Sequence, residues 1–422
     1  MPRVQAIVIG GGQAGLAMSR CLTDRNVEHV VLERLRIGER WLGERWDGLR
    51  LLTPNWMTRL PGWRYGGPDP DGFMTMPEVA AFLASYARSF AAPVEAGTTV
   101  LRVAREVAGG RARFRVETDR GVWTADAVVL ATGDCDRPCV PSAAAGLSPG
   151  IAQVVPSAFR NPDALPPGGV LVVGASATGV QLADALAAAG RPVVLSVGAH
   201  TRIPRRWRGR DIFWWLDRCG VLDDPWHRVG DIARARRQPS LQLVGNPDGR
   251  SIDLATLAGR GVRLAGRLSG IDGTEAGFAP DLLASAADAE RRLGRLLARI
   301  DATAADRGLD AGAPPAERPA PIPTDLLTGA PDRLDLAAEG IGSVIWATGF
   351  RRAWPWLALP VVGADGEIVH DGGVTAVPGL YVLGLRFLRR RKSSFIDGVG
   401  PDAEALAEHL LRHARARSRR AA

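Results

Sequence analysis

Three glycines near the start of the chain, Gly10, Gly12 and Gly15 in Gly10-Gly11-Gly12-Gln13-Ala14-Gly15, have the spacing of a pyrophosphate cradle. In such a turn the first glycine allows a tight reversal, the second lets backbone approach the phosphates, and the third lets helix and strand pack closely. The N–H groups of Gln13 and Ala14, at the start of the helix that must follow, then face the negative charge. The next apolar run, His29-Val30-Val31-Leu32, ends at Glu33 with Arg34 beside it. A carboxylate at that position accepts both ribose hydroxyls. A second, altered copy reads Gly174-Ala175-Ser176-Ala177-Thr178-Gly179, and its next strand, Pro192-Val193-Val194-Leu195, ends at neutral Ser196. The hydroxymethyl group of Ser176 is small enough to lie beside a phosphate. His200, Arg202, Arg205 and Arg206 follow, and arginine makes bidentate, charge-assisted bonds that suit a 2′-phosphate. The second site therefore reads as one for NADPH rather than NADH. Two dinucleotides on one chain imply redox exchange. The sequence holds neither a Ser/His/Asp set nor a His/Cys cluster with metal-ligand spacing, so no metal is expected.

These turns need strands before them and helices after them. Val4 to Ile9 and Val170 to Val173 are apolar runs of strand length that lead into the two turns, and helical spacing follows each. The fold class is therefore α/β, with two doubly wound dinucleotide-binding domains. Two more runs end in small-residue turns, Ala131-Thr132-Gly133 and Ala347-Thr348-Gly349, where backbone can approach a cofactor unobstructed. Pro77 to Phe90 reads as an amphipathic helix, and Thr99-Val100, Arg113 to Glu117 and Val122-Trp123 as strands. The strand Leu380 to Leu383 ends at Gly384, and a last helix opens near Pro401 and Asp402, the acid suiting its positive end, and that helix end is expected to point at a cofactor oxygen. The expected division is a first domain over 1–164 and 341–422, a second over 165–278, and a helical and Pro-rich insert over 279–340. In the insert, Leu282, Leu283, Ala286, Leu293, Leu296, Leu297 and Ile300 form a stripe, read as structural support or a homodimer contact ahead of a substrate lid.

The chain has a formal charge of +8, but its arginines are scattered throughout, so the charge reads as compositional bias rather than a nucleic-acid stripe. The Arg412 to Arg420 tail reads as a solvated end. Glycine-interrupted apolar runs too short to span a bilayer, and an N-terminus without signal-peptide features, give the expectation of a cytoplasmic protein with no membrane partner. Cys135 and Cys139, at Cys-x-x-x-Cys spacing among prolines, read as part of an inter-domain loop rather than a redox pair. Trp41, Trp46 and Trp56 are rigid enough to wall a flat ring system; the reading favours that role for Trp41 and leaves Trp46 and Trp56 divided between wall and core.

The order of these motifs resembles the class B flavoprotein monooxygenases, the flavin-containing and Baeyer–Villiger enzymes, and among them a bacterial group often labelled as flavoproteins involved in potassium transport. The resemblance implies FAD on Gly10, Gly12, Gly15 and Glu33, and a flavin wall from Gly38 to Trp41 and from Trp46 to Pro54, which includes Leu52 and Thr53. Val100, Ala131 to Gly133, Gly384 and Phe395 complete that site, while Gly174 to Gly179, Ser196 and Arg202 would hold NADPH. It further implies a C4a-hydroperoxyflavin, and O2 with a small-molecule substrate, a soft nitrogen or sulfur nucleophile. Between the domains the family carries a histidine after an aromatic-glycine pair; Leu147 to Pro156 has none, which points away from Baeyer–Villiger chemistry. Asn55 stands near the asparagine that in the family steadies the oxygenated flavin, the alternative being a turn-capping role after Pro54. Lys392 is the only lysine. It is weighed as a compact donor to flavin or substrate against a solvated basic run, with the basic run favoured. The competing functions are a flavin reductase or oxidase without oxygen transfer, and a non-catalytic nucleotide sensor.

Overall fold

The computed structural model describes residues 1–108 and 111–421. Its first sheet is built on Arg3–Ile9, which pairs in parallel with His29–Glu33 on one side and Gly121–Leu130 on the other. The sheet continues through Val94–Ala96 at one edge and Leu380–Val382, Val374–Thr375 and His370–Asp371 at the other. Residues 6–8 and 127–130 are buried, as expected of strands covered on both faces. The antiparallel strands Val100–Ala108 and Arg111–Thr118 extend from Gly121–Leu130, so the three short runs of the sequence reading are parts of a longer meander. Gln13–Thr23 packs on this sheet and against the final helix, Val399–Ala421. Met76–Ser89 is fixed at its start by a reciprocal capping box between Thr75 and Glu78.

The second sheet is wholly parallel, in the order Ala152–Val154, Ile341–Trp346, Gly169–Val173, Val193–Ser196, Arg263–Ala265. This corrects the expected boundaries. Ile341–Trp346 pairs with Gly169–Val173 in the second sheet, and the chain returns to the first sheet through a bridge from Leu357 to Val103 and then the strand His370–Asp371. Ala152–Val154, also assigned to the first domain, is the second sheet's outer strand.

A third apolar cluster lies beside the two sheets. It joins Ile212–Arg218 to the 25-residue insert helix Leu282–Asp306 through Phe213, Trp215, Leu293, Leu297 and Ile300. Of the insert stripe, Leu282, Ala286, Leu293, Leu297 and Ile300 are buried within the chain, Leu296 is partly buried and Leu283 is exposed. The final helix reaches Ala421, so the tail is helical rather than frayed; side chains from Arg417 onward lie outside the described residues. Among the described residues no helix is long and apolar enough to cross a membrane.

Candidate dinucleotide and substrate site

The two glycine turns repeat one another in backbone geometry. Gly10 and Gly174 have φ of +111° and +107°, and a Cβ on either would lie 2.5 Å from a carbonyl oxygen, that of Ala131 or of Ala347. A Cβ on Gly15 or Gly179 would fall 1.8 or 1.7 Å from the carbonyl of Gly10 or Gly174. Each turn is therefore locked against the small-residue turn of a neighbouring strand, where Gly133 and Gly349 also have positive φ. Gly12 and Ser176 share an extended backbone (φ −85°, ψ −171° and φ −77°, ψ −174°), which explains why serine is accommodated in the second copy. Neither helix that follows has a side-chain cap, which leaves its first N–H groups to a ligand.

The first turn opens into a cleft of about 280 Å³ lined by Gly10, Gly12, Gln13, Ala14, Glu33, Arg34, Trp41, Val100, Ala131, Thr132, Gly133 and Gly384. A Cβ on Gly12 would meet nothing within 4 Å, so its missing side chain is space that faces the cleft rather than a packing need. Glu33 is held by the Gly11 N–H at 2.6 Å and the Leu35 N–H at 3.0 Å, which fixes the carboxylate at the cleft wall. A long cradle, backbone donors and an oriented carboxylate fit an adenine dinucleotide.

A second cavity, of about 440 Å³, lies between the two units. Gln13, Trp41, Trp46, Leu52 and Thr53 come to it from the first unit, Ala177 and Thr178 from the second turn, and Phe395 from the loop before the final helix. Arg160 donates to the carbonyls of Gly43 and Arg45, tying down the turn that carries Trp41 and Trp46. The segment Gln238–Leu243 covers the second turn, with Gln242 Nε2 donating to the Ala175 carbonyl at 2.7 Å. Sequence reasoning missed this strap because it has no periodicity or motif. Thr178 and the segment carrying Trp41, Leu52 and Thr53 thus line one and the same cavity.

Several expected site residues do other work. Ser196 donates to the Gly266 carbonyl and accepts from the Leu268 N–H, both at 3.0 Å, so it closes a turn. Arg202 is buried, paired with Asp253 and Glu290 at 2.7 Å each, and does not present its guanidinium to a 2′-phosphate. Arg205 pairs with Asp211, stacks 4.4 Å over Phe73 and donates to the Leu52 carbonyl at 2.7 Å, pinning the flavin wall to the second unit. Arg267 lies beside Gly198 just past the strand end, exposed and paired with Asp281 at 3.3 Å.

Asn55 lies outside both cavities. Its amide donates to Asp69 O at 2.9 Å and accepts from the Met74 N–H at 2.8 Å, the turn-closing alternative. Trp56 packs against the third cluster and lines neither cavity. Lys392 is neither at the cavities nor solvated: it is buried with Asp397 at 3.0 Å, Asp223 at 3.4 Å and Asp217 at 3.5 Å. Burial lowers its pKa, but these carboxylates outweigh burial and raise it. Asp402 is fully buried near Arg390, away from both cavities, and burial pushes its carboxyl up to about 6 although Ser393 and Arg390 oppose the rise. Cys135 and Cys139 are free thiols. The Cys139 backbone is bound to Thr348 and Gly349, so this loop links the two units. Among the described residues there is no group of three or more His, Cys, Asp or Glu placed to hold a metal ion.

Comparison with known proteins agrees with this geometry. Residues 7–206 match the model of a family described as pyridine nucleotide-disulphide oxidoreductase. The CzcO-like oxidoreductase of Geobacillus kaustophilus is 32% identical over 414 residues, covering 97% of this chain and 99% of that one. A flavin-containing monooxygenase from Stenotrophomonas maltophilia superposes with a TM-score of 0.67 at 20% identity, covering 98% of this chain and all of that one. OTEMO, solved in complex with FAD and NADP, superposes with a TM-score of 0.54 at 16% identity over 99% of this chain and 87% of that one. With a relative this similar along almost its whole length, the chain belongs to the family of CzcO-like oxidoreductases, and its fold is that of the flavin monooxygenases.

Proposed function

We propose that the protein binds FAD in the first cleft and NADPH at the second turn, and transfers one oxygen atom from O2 to a soft nitrogen or sulfur nucleophile in the cavity between them. The observation that carries this reading is that one cavity is bounded by Trp41, Leu52 and Thr53 of the first unit and by Ala177 and Thr178 of the second turn. Bound flavin, once reduced, supplies the redox and oxygen-activating chemistry. The chain's part is to bind, orient and shelter. Gly12 and the uncapped helix start take the pyrophosphate, Glu33 takes the ribose hydroxyls, and Arg205 holds the Leu52 backbone in place. The apolar lining excludes water from the reacting atoms. With Arg202 buried in its pairs, the preference for NADPH over NADH rests on Arg267, whose exposed guanidinium pairs with Asp281 at 3.3 Å and would exchange that surface contact for a 2′-phosphate.

The test is NADPH oxidation by FAD-loaded protein in air with a panel of amines and sulfides, counting oxygenated product against hydrogen peroxide. Oxygen transfer predicts that a good substrate yields product at close to one per NADPH while peroxide falls. Peroxide equal to NADPH consumed across the panel would make the protein an oxidase instead, and negligible NADPH consumption would leave only nucleotide binding.

A further inference from the structure

The far wall of the larger cavity comes from the third apolar cluster rather than from either dinucleotide unit. Phe213 and Leu216 project from Ile212–Arg218, Leu296 from the insert helix, and Leu222 and Phe395 from adjoining loops. Phe213 and Phe395 meet edge to face with centroids 6.2 Å apart. The insert is therefore both a structural support and a cavity wall.

Arg391 enters this recess. Its N–H donates to the Asp224 carbonyl and the Lys392 N–H to the Leu222 carbonyl, each at 3.1 Å, so the turn that supplies Leu222 also positions Arg391. The guanidinium carbon lies 4.9 Å from the Phe387 ring centroid. One Nη reaches Asp224 at 3.3 Å, but that carboxylate already accepts two shorter bonds from Arg299, at 2.8 and 2.6 Å. The Nε of Arg391 is buried with no hydrogen-bond partner. The side chain as a whole is 35% exposed, and a guanidinium this loosely paired is open to an acceptor brought by a ligand. The lining as a whole has Arg45, Arg50 and Arg391, beside an Arg386 already paired with Asp134 at 3.0 Å, against a single acid, Glu44, which lies within 3.9 Å of Arg34 and 3.7 Å of Arg40. Charge complementarity therefore calls for an anion.

We propose that the substrate is a small amphipathic carboxylic acid, its apolar or aromatic body packed among Phe213, Leu216, Leu222, Leu296 and Phe395 and its carboxylate bound to Arg391. The oxygenation step rests on the function proposed above. For an aryl sulfide acid it balances as sulfide, NADPH, a proton and O2 giving sulfoxide, NADP⁺ and water: NADPH and sulfur each give up two electrons, and both oxygen atoms are reduced, one into the sulfoxide and one into water.

The probes are (phenylthio)acetate and thioanisole, which share the aromatic sulfide and differ in the carboxylate. In tryptophan-fluorescence titrations of the flavin-loaded protein, the acid binds about 10-fold more tightly, the size expected of a charge-assisted bond. Arg391→Gln brings the ratio of the two affinities close to one, and Arg391→Lys retains part of the preference, with circular dichroism confirming that both variants are folded. Equal affinity in the wild type, a preference that survives Arg391→Gln, or binding of neither compound overturns the proposal. Turnover separates the two readings: selective binding of the acid without sulfoxide formation upholds the ligand class and removes oxygen transfer.

Discussion

Lys392 and Asp402 show how far residue type alone misleads. Against a background of arginine, the single lysine was conspicuous, yet it neutralises three carboxylates brought together from distant parts of the chain. Removing one partner of a buried ion cluster leaves uncompensated charge, so Lys392→Met is expected to cost about 3 kcal/mol of stability. Flavin content per folded molecule should be unchanged. A thermal midpoint like that of the wild type together with impaired flavin reduction would restore the direct role. Asp402 makes a pH-dependent contribution of the opposite sense to a salt-bridged acid. Its carboxyl is raised to about 6 in the fold, so between the ordinary carboxylate range and that value the folded state holds a proton that the unfolded state has lost. Its contribution is full at low pH and is lost as pH rises through about 6. Relative to Asp402→Asn, the wild type should lose about 2–3 kcal/mol between pH 4 and 7, measured by denaturant unfolding at each pH. A difference independent of pH would contradict this.

At the scale of elements, the strand-turn-helix units were legible because they are local: apolar run, glycine spacing and helical periodicity occupy one continuous stretch. The match of Gly174 to Ala347 was legible only in part, since small residues in Ala347-Thr348-Gly349 signal a close approach but not to what. The partition of strands was not legible, because nothing in Ile341–Trp346 says which sheet it joins; that is decided by pairing with Gly169–Val173. Arginine roles failed for a similar reason, as Arg202 and Arg205 are defined by acids far away in sequence, Asp253 and Glu290, or by a turn, Asp211. The turn geometry makes a discriminating prediction. Gly12 has free space where Gly10 has a carbonyl at 2.5 Å and positive φ. Gly12→Val should therefore fold normally and lose flavin affinity by about 100-fold or more, because the branched side chain occupies the pyrophosphate path. Gly10→Val should fail to fold. Normal flavin binding by Gly12→Val would place the cofactor elsewhere.

At the scale of the molecule, the two sheets and the third cluster act as one assembly. Arg205 ties the second unit to the flavin wall, Arg386 ties Asp134 to the Gln238 and Ser240 strap, and the insert helix completes the cavity through Leu296. The central claim is that this assembly brings a nicotinamide against a flavin. Anaerobic mixing of FAD-loaded protein with NADPH, followed by the visible absorbance of the flavin, tests it most directly. The account predicts complete bleaching by NADPH, faster than by equimolar NADH. A protein that takes up no FAD, or whose bound FAD stays oxidised under NADPH, would contradict it.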